Sequence, residues 1–524
     1  MGSSRRESGI RIRRALLAAH DTAAFQPLAL GLANRGVEIW ATAGTQRRLG
    51  DAGIPARSTE EITGIQGWFG GRVKTLHPRL MGGVLAPRDE SGEAEIRQRE
   101  ILPFDLVAIG LYPFEEVVAR GASFEEGIEQ IDIGGVTLLR AAAKNHRYVV
   151  PVWDPPDGTR VLQEMETSGG FVSAETSRRL AARAFERTVT YDVAISQWLR
   201  GGETRTPDPL PEALYLTARS EPLRYGENPH QRAEVLTLTS PPASAFAPWP
   251  LGLRKGDPLS YNNLLDLDRG LALAGEFSGP TAVVLKHATP CGVASAPTLE
   301  EALQQALETD PVARFGCALV VNTPFPEPAA DVLKGIFVDL LAAPGFGPGA
   351  LERLSRRARV KVVEARPVPF GAPRWELRSA AGRVLLQEAD RRPLRPTELR
   401  QVTRAGASPE QIASLDFAWR VVRHARSNAI VLAQGQRTVG IGSGQTSRVG
   451  AVQEALRVAG DRARGSVLAS DAFFPFPDGL EAAASAGVCA VLQPGGSIRD
   501  AEIIEAADRA GLAMYFCGWR AFRH

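Results

Sequence analysis

The chain reads as an α/β protein of more than one domain. Short β-rich runs alternate with longer stretches of helical periodicity, the pattern of strands layered against helices. Its 524 residues exceed what one hydrophobic core usually organises, so two to four domains are expected. The balance of 61 basic against 59 acidic residues, a net charge of +2, supplies no overall basic field for nucleic acid.

Taken in order, Met1–Arg14 is polar and Arg-rich with no apolar run behind it, so it reads as a frayed extension and not a secretory signal. Arg14–Ala18 and Glu38–Ala41 read as strands flanking a helix from about Ala23 to Arg35. Leu106–Ile109 and Val149–Trp153 read as later strands of the same unit. Leu180, Ala184, Thr188, Tyr191, Ile195 and Trp198 recur at spacings of three and four, one buried stripe of a long closing helix. Two glycines and three prolines between Gly201 and Pro211 can continue neither helix nor strand, which marks a domain boundary. Beyond it strands are expected near Thr281–Leu285, Ala318–Val321, Ala429–Leu432, Thr438–Ile441, Cys489–Leu492 and Met514–Phe516. The Arg/Pro-rich stretch Glu364–Pro373 divides this second half, and no repeat of short fixed period is visible. No apolar run approaches the ~20 residues needed to cross a bilayer. Cys291, Cys317, Cys489 and Cys517 are scattered without a C-x-x-C pair, which favours reduced thiols in a cytoplasm over a structural zinc site.

Lysine is the scarce residue. Only six of the 61 basic residues are Lys, so Lys should persist mainly where a guanidinium cannot substitute, as at a site that needs a compact ammonium of adjustable pKa. Lys255, Lys334 and Lys361 lie in polar or mixed segments and read as ordinary surface cations. Lys74, Lys144 and Lys286 sit among small, apolar or titratable neighbours and read as functional. Lys286-His287 ends an apolar strand and precedes Ala288-Thr289-Pro290-Cys291-Gly292, read as a turn. An ammonium beside an imidazole there suits proton transfer. Pro290-Cys291 matches half of a zinc-deaminase signature, but Ala294 stands where the second Cys belongs, so no metal is expected. Leu223–Gln231 and Ser260–Asn263 read as fixed polar loops. Gly440–Arg448 reads as a Gly-rich turn suited to a phosphate or carboxylate. Gln130–Gly135 leads into a helix carrying Arg140, Lys144 and Asn145, an acid and base set for an anionic ligand. Thr42-Ala43-Gly44-Thr45, after a strand, can donate to a phosphate.

Together these segments resemble the bifunctional purine-biosynthesis family that joins aminoimidazole-carboxamide ribonucleotide (AICAR) formyltransferase to inosine monophosphate (IMP) cyclohydrolase. The match runs from about Arg13 to His524 in the family's order, through Gly71–Pro78, Ile131–His146, Val284–Val293 and the gapless Ser470–Gly479. The resemblance implies a cyclohydrolase domain over residues 1–205 with a doubly wound sheet like that of methylglyoxal synthase. A linker over 206–222 and two cytidine-deaminase-like, zinc-free formyltransferase subdomains over 223–365 and 366–524 would follow. It implies a cytoplasmic homodimer with 10-formyltetrahydrofolate as cosubstrate, no tightly bound cofactor or metal, and AICAR, formyl-AICAR and IMP as ligands.

On the family's pattern Lys286 and His287 are the catalytic pair of the transferase, with Asn428 orienting the formyl group. Arg224, Tyr225, Gly316, Asp339, Arg448, Phe473 and Arg520 match nucleotide positions, and Val449, Asp478, Ser497 and Ile498 match folate positions. For ring closure Lys144 matches the proton-transfer residue, Lys74 and Tyr112 lie near the oxyanion, and Asp132 near the reacting amide. Thr42, Gly44, Thr45, Arg72, Val73, Thr75 and Ile133 would line the nucleotide. The chain departs from the pattern at Thr22, where Lys is usual, at Ala43, where Gly is usual, and at Met81, where His is usual, which questions the phosphate cradle. Cys317 and Arg426 are tolerable departures in the transferase half. Two alternatives stand beside the bifunctional enzyme. One is a formyltransferase with a structural first domain; the other is a nucleotide-binding protein without catalysis.

Overall fold

The computed structural model describes residues 9–201, 218–238, 250–371 and 375–524. They form two compact units, one in the N-terminal part of the chain and one in the remainder. Of the expected boundary Gly201–Pro211, Gly201 ends a helix and the rest, with the start of the proposed linker, lies outside the described residues. The linker's last residues do not: Ala218–Pro222 is a strand paired antiparallel with Glu234–Leu238.

The first unit is a five-stranded parallel sheet ordered Arg57–Ser58, Glu38–Ala41, Arg14–Ala19, Leu106–Gly110, Val150–Val152. Side chains alternate across it as a strand requires. Leu17 packs with Phe25, Leu28 and Val161 on one face, Leu16 with Leu80, Leu138 and Ala184 on the other. The long helix, Ala174–Gly201, buries Leu180, Ala184, Thr188 and Tyr191 of the expected stripe, while Trp198 stacks on Phe124. The segment read as a frayed extension is not so at Ile10–Arg11, which pairs with Phe171–Val172; residues 1–8 lie outside the described residues. Chain order reverses between Arg14–Ala19 and Leu106–Gly110, and the crevice outside their carboxyl ends is where open α/β sheets bind ligands.

The second unit is built on one twelve-stranded sheet with a duplicated topology. In the first copy the hairpin Thr281–Lys286/Thr289–Ser295 is flanked by Cys317–Val321, Val338–Ala343, Lys361–Glu364 and the edge strand Gly252–Lys255. In the second the hairpin Ile430–Gln434/Arg437–Gly442 is flanked by Val467–Ser470, Ala490–Gln493, Ala513–Phe516 and the edge strand Arg400–Gln401. The copies meet where Ala294 pairs with Arg437. The duplication is one of topology, which is why no short sequence period betrays it.

Three local readings change. Thr289–Ser295 is a strand and the turn is His287-Ala288 alone; a register shift between Val284 and Leu285 accommodates Pro290 opposite Leu285. Ser260–Asn263 is no loop but the capping box that starts helix Tyr261–Ala274. Gly440 and Gly442 serve packing: a Cβ on either would lie 2.1 or 2.0 Å from the carbonyls of Ala455 and Ala451 on helix Arg448–Ala459. Both glycines are fixed by that close approach, so the Gly-rich turn needs no anion to explain it.

Candidate functional site

The pairings bring one group of candidates to a single edge of the large sheet. Lys286 ends its strand where the antiparallel Cys317–Val321 begins, beside Gly316, and where Val338–Ala343 begins, beside Asp339. Lys286 Nζ donates to the carbonyl of Phe315. His287 and Ala288 form the hairpin turn with φ of 53° and 58°, left-handed values that such turns usually give to Asn or Gly. The backbone N–H of Ala288 donates to Asp266 Oδ1 at 2.6 Å, which holds the turn. Burial raises the Asp266 carboxyl above the ordinary carboxylate range; the Ala288 N–H and the charges of His287 and Lys286 oppose this. Asp339 accepts from Asn263 Nδ2 at 2.8 Å and pairs with Lys361 Nζ at 3.0 Å. Lys361, read from sequence as an ordinary surface cation, is therefore part of this cluster. Lys255 by contrast donates to the carbonyls of Leu354 and Arg357 at the end of helix Ala350–Ser355. The Leu223–Gln231 loop reaches the start of helix Tyr261–Ala274 through Asn262 Nδ2 to the Glu227 carbonyl at 3.4 Å. In that loop Arg224 lies 5.7 Å from the ring centroid of Tyr225.

The second copy presents its candidates at the same edge, since Thr289–Ser295 and Arg437–Gly442 run antiparallel. Asn428 precedes one strand, Arg448 and Val449 open a helix after another, and Phe473, Asp478, Ser497, Ile498 and Arg520 follow the carboxyl ends of three more. Phe473 is exposed beside the buried Phe474, and Ile498 is fully exposed. Arg520 lies over the ring of Phe522 at 4.6 Å. Arg448 is buried and engaged with the protein itself. It pairs with Asp471 and donates to Asn428 Oδ1 at 2.8 Å and to the Ala429 carbonyl at 3.1 Å. Asn428 Nδ2 donates to the Gln445 carbonyl at 2.9 Å, so both ends of its amide are fixed. Asp471 also accepts from Ser427 Oγ and from the Ala429 N–H at 3.0 Å.

In the first unit a cleft of about 730 Å³ opens at the reversal point of the sheet. It is lined by Thr42, Gly44 and Thr45 at one end and by Arg72, Lys74, Thr75, Tyr112, Asp132 and Ile133 at the other. Val73 is not among the lining residues; it pairs with Trp68 in the loop. Lys74 Nζ donates to Tyr112 OH at 3.3 Å. Asp132 Oδ1 accepts from the Gly135 N–H at 2.7 Å and Oδ2 from the Tyr112 N–H at 3.4 Å. The diglycine permits this approach, because a Cβ on Gly135 would lie 2.5 Å from Asp132 Oδ2 and one on Gly134 2.4 Å from Thr75 Oγ1. Burial raises the Asp132 carboxyl, against its two N–H donors and the charges of Lys74 and His20. Behind it Tyr191 OH accepts the Asp132 N–H at 2.9 Å, and burial pushes that phenol up to about 12.

Two expectations about this unit change. Lys144 does not join the Lys74 cleft: it ends helix Gly134–Lys144, on the order of 15 Å along the axis from Gly134. It lines a separate cavity of about 680 Å³ with Arg140, His146 and Arg178. Met81 lines that second cavity, and Ala43 and Thr22 line neither; Thr22 bears on the cradle only through a side chain it holds. There Arg48, which sequence reasoning passed over, lines the cleft and donates from Nε to Thr22 Oγ1 at 2.8 Å. Asp266, Asn263 and Asp471 were also missed as site residues.

No group of three or more His, Cys, Asp or Glu among the described residues is arranged to hold a metal ion. No helix among them is long and apolar enough to cross a membrane. Residues 142–458 match the family model described as AICARFT/IMPCHase bienzyme, and residues 24–137 match the MGS-like domain. Bifunctional purine biosynthesis proteins PurH from Anoxybacillus flavithermus and Halalkalibacterium halodurans are 43% and 42% identical; each alignment covers 98% of this chain and 100% of the relative. The PurH protein of Chloroflexus aurantiacus is 45% identical over 98% of this chain and 99% of its own length. With a family model across more than half its length and such relatives end to end, the chain belongs to the AICARFT/IMPCHase bienzyme family.

Proposed function

We propose that this chain catalyses two consecutive steps: formyl transfer from 10-formyltetrahydrofolate to the 5-amino group of AICAR, then dehydrating closure of formyl-AICAR to IMP. The observation that carries the reading is Lys286 at the head of the strained His287-Ala288 turn, which the half-buried Asp266 carboxylate fixes, with Asp339 nearby to suit a ribose hydroxyl. The substrate amine is conjugated to a carboxamide and nucleophilically weak, so positioning and a base must lower the barrier. His287 takes the proton from the 5-amino nitrogen as that nitrogen attacks the formyl carbon. Lys286 stabilises the negative charge on the formyl oxygen, and its neighbourhood supplies a proton to the folate nitrogen as the C–N bond breaks. Asn428, its amide held by Arg448 and Gln445, orients the formyl group.

In the second step the carboxamide nitrogen attacks the formyl carbon, and water leaves after proton transfer. Lys74 and Tyr112 face the developing oxyanion, where a preorganised donor contributes roughly 3–4 kcal/mol. Asp132 accepts from the amide. Lys144 reaches such a site only from a second copy of the chain, which favours a homodimer as the working form. The enzyme uses no resident cofactor or metal and works in the cytoplasm.

A formyltransferase whose first unit is structural is favoured by one observation, the loss of a cation at Thr22. Absorbance at IMP formation separates the readings. IMP from AICAR plus 10-formyltetrahydrofolate, and also from supplied formyl-AICAR, supports both steps. Accumulation of formyl-AICAR without IMP leaves the transferase alone.

A further inference from the structure

We infer that Arg48 is the phosphate-recognising cation of the cyclohydrolase cleft, taking over the charge that Thr22 lacks. This rests on the reading of that cleft as the IMP-forming site. The cleft has a donor-rich end at the start of helix Ala43–Asp51, whose first N–H groups point out unpaired as in any helix. Three side-chain donors converge there on one acceptor, the carbonyl of Ala19: Thr22 Oγ1 at 3.2 Å, Thr45 Oγ1 at 3.2 Å and Arg48 Nη2 at 3.1 Å. A carbonyl oxygen offers two lone pairs, so this acceptor is oversubscribed. Both hydroxyls are almost wholly buried, and Thr42 Oγ1 donates to Thr45 Oγ1 at 3.1 Å. This buried set has donors to spare and no carboxylate to receive them.

The other cations of the cleft are engaged. Arg72 is paired with Glu129, and Lys74 donates to Tyr112. Arg48 forms no ion pair among the described residues. Its Nε and Nη2 bonds to Thr22 and Ala19 set the plane of the guanidinium and leave its other N–H groups free. A dianionic phosphate monoester fits this arrangement. It takes the guanidinium fork, the Thr45 hydroxyl released from Ala19, and the N–H groups of the helix start. Thr22 is thus the hydroxyl that steers the guanidinium.

The test is competitive inhibition of formyl-AICAR cyclisation in the full chain, by IMP and by inosine, which lacks the phosphate. Arg48→Ala should weaken inhibition by IMP about ten- to a hundred-fold, the worth of a charge-assisted hydrogen bond pair, and inhibition by inosine less than about two-fold. Adding Thr22→Lys to Arg48→Ala should recover most of the IMP affinity, because an ammonium then returns to the cradle from the other side. Equal weakening of both inhibitors, or an IMP effect under about three-fold, overturns the inference. Failure of the unsubstituted chain to cyclise formyl-AICAR, or to be inhibited by IMP, overturns the reading of the cleft itself.

Discussion

Asp471 is the residue whose removal should separate the two activities most sharply. It is wholly buried and pairs with Arg448, itself buried, while accepting from Ser427 and from the Ala429 N–H. Asp471→Ala leaves a buried guanidinium without its counter-charge, at a cost of roughly 3–5 kcal/mol. The orphaned Ala429 N–H and Ser427 hydroxyl each cost about 1–3 kcal/mol more when isolated, but they share one network, so the terms do not add and the pair sets the scale. Hydrogen exchange read peptide by peptide suits a chain of two units, where a single melting temperature has no clear meaning. Peptides over Ile430–Gln434 and Val467–Ser470 should lose protection, while those over Arg14–Ala19 and Leu106–Gly110 keep theirs. Formyl transfer should fall at least about a hundred-fold, as Arg448, the donor that orients Asn428, loses its anchor. Replacing both partners, Arg448→Met with Asp471→Leu, removes the charges together and should restore protection without restoring transfer. Unchanged protection in Asp471→Ala, or full transfer in the double variant, would refute this account of the site.

Two further outcomes follow from the carboxylates. Asp266→Ala removes the acceptor that holds the His287-Ala288 turn and should lower kcat of transfer about ten- to a hundred-fold, with KM for AICAR little changed; an unaltered kcat would mean the turn holds itself. Asp132 has a carboxyl raised by burial, so cyclisation should fall as pH drops through a value above the ordinary carboxylate range. For stability the sign is opposite: the folded state binds the proton more tightly than the unfolded chain, so the first unit gains stability as pH falls through that window and loses it as pH rises. Asp132→Asn should abolish cyclisation together with that pH-dependent part of stability, as urea unfolding at several pH values would record.

The layers of the fold were legible because burial leaves a periodic trace. Leu16 and Leu17 pack on opposite faces of one strand, and the Leu180–Tyr191 stripe lies on one face of a helix. Thr289–Ser295 was illegible because its Pro and Gly argue for a turn, and only cross-strand pairing with a register shift accommodates them. The scarcity of Lys pointed to Lys74, Lys144 and Lys286, yet passed over Lys361, whose partner Asp339 is distant in sequence. Asp266 and Arg48 carry no local signature at all. Each acts through a contact made by the fold, the first with a turn 22 residues on and the second with a strand end 26 or more residues back. The separation of Lys144 from Lys74 is likewise a matter of helix length and position, which no motif spacing conveys.

The central claim is that two reactions run on two separate sets of residues in the two units. The most direct measurement compares Lys286→Arg, His287→Ala and Lys74→Ala in both assays, transfer from 10-formyltetrahydrofolate to AICAR and cyclisation of supplied formyl-AICAR. The account predicts that the first two variants lose transfer and cyclise near the normal rate, while the third forms formyl-AICAR normally and fails to close it. Equal loss of both activities in any folded variant would contradict it.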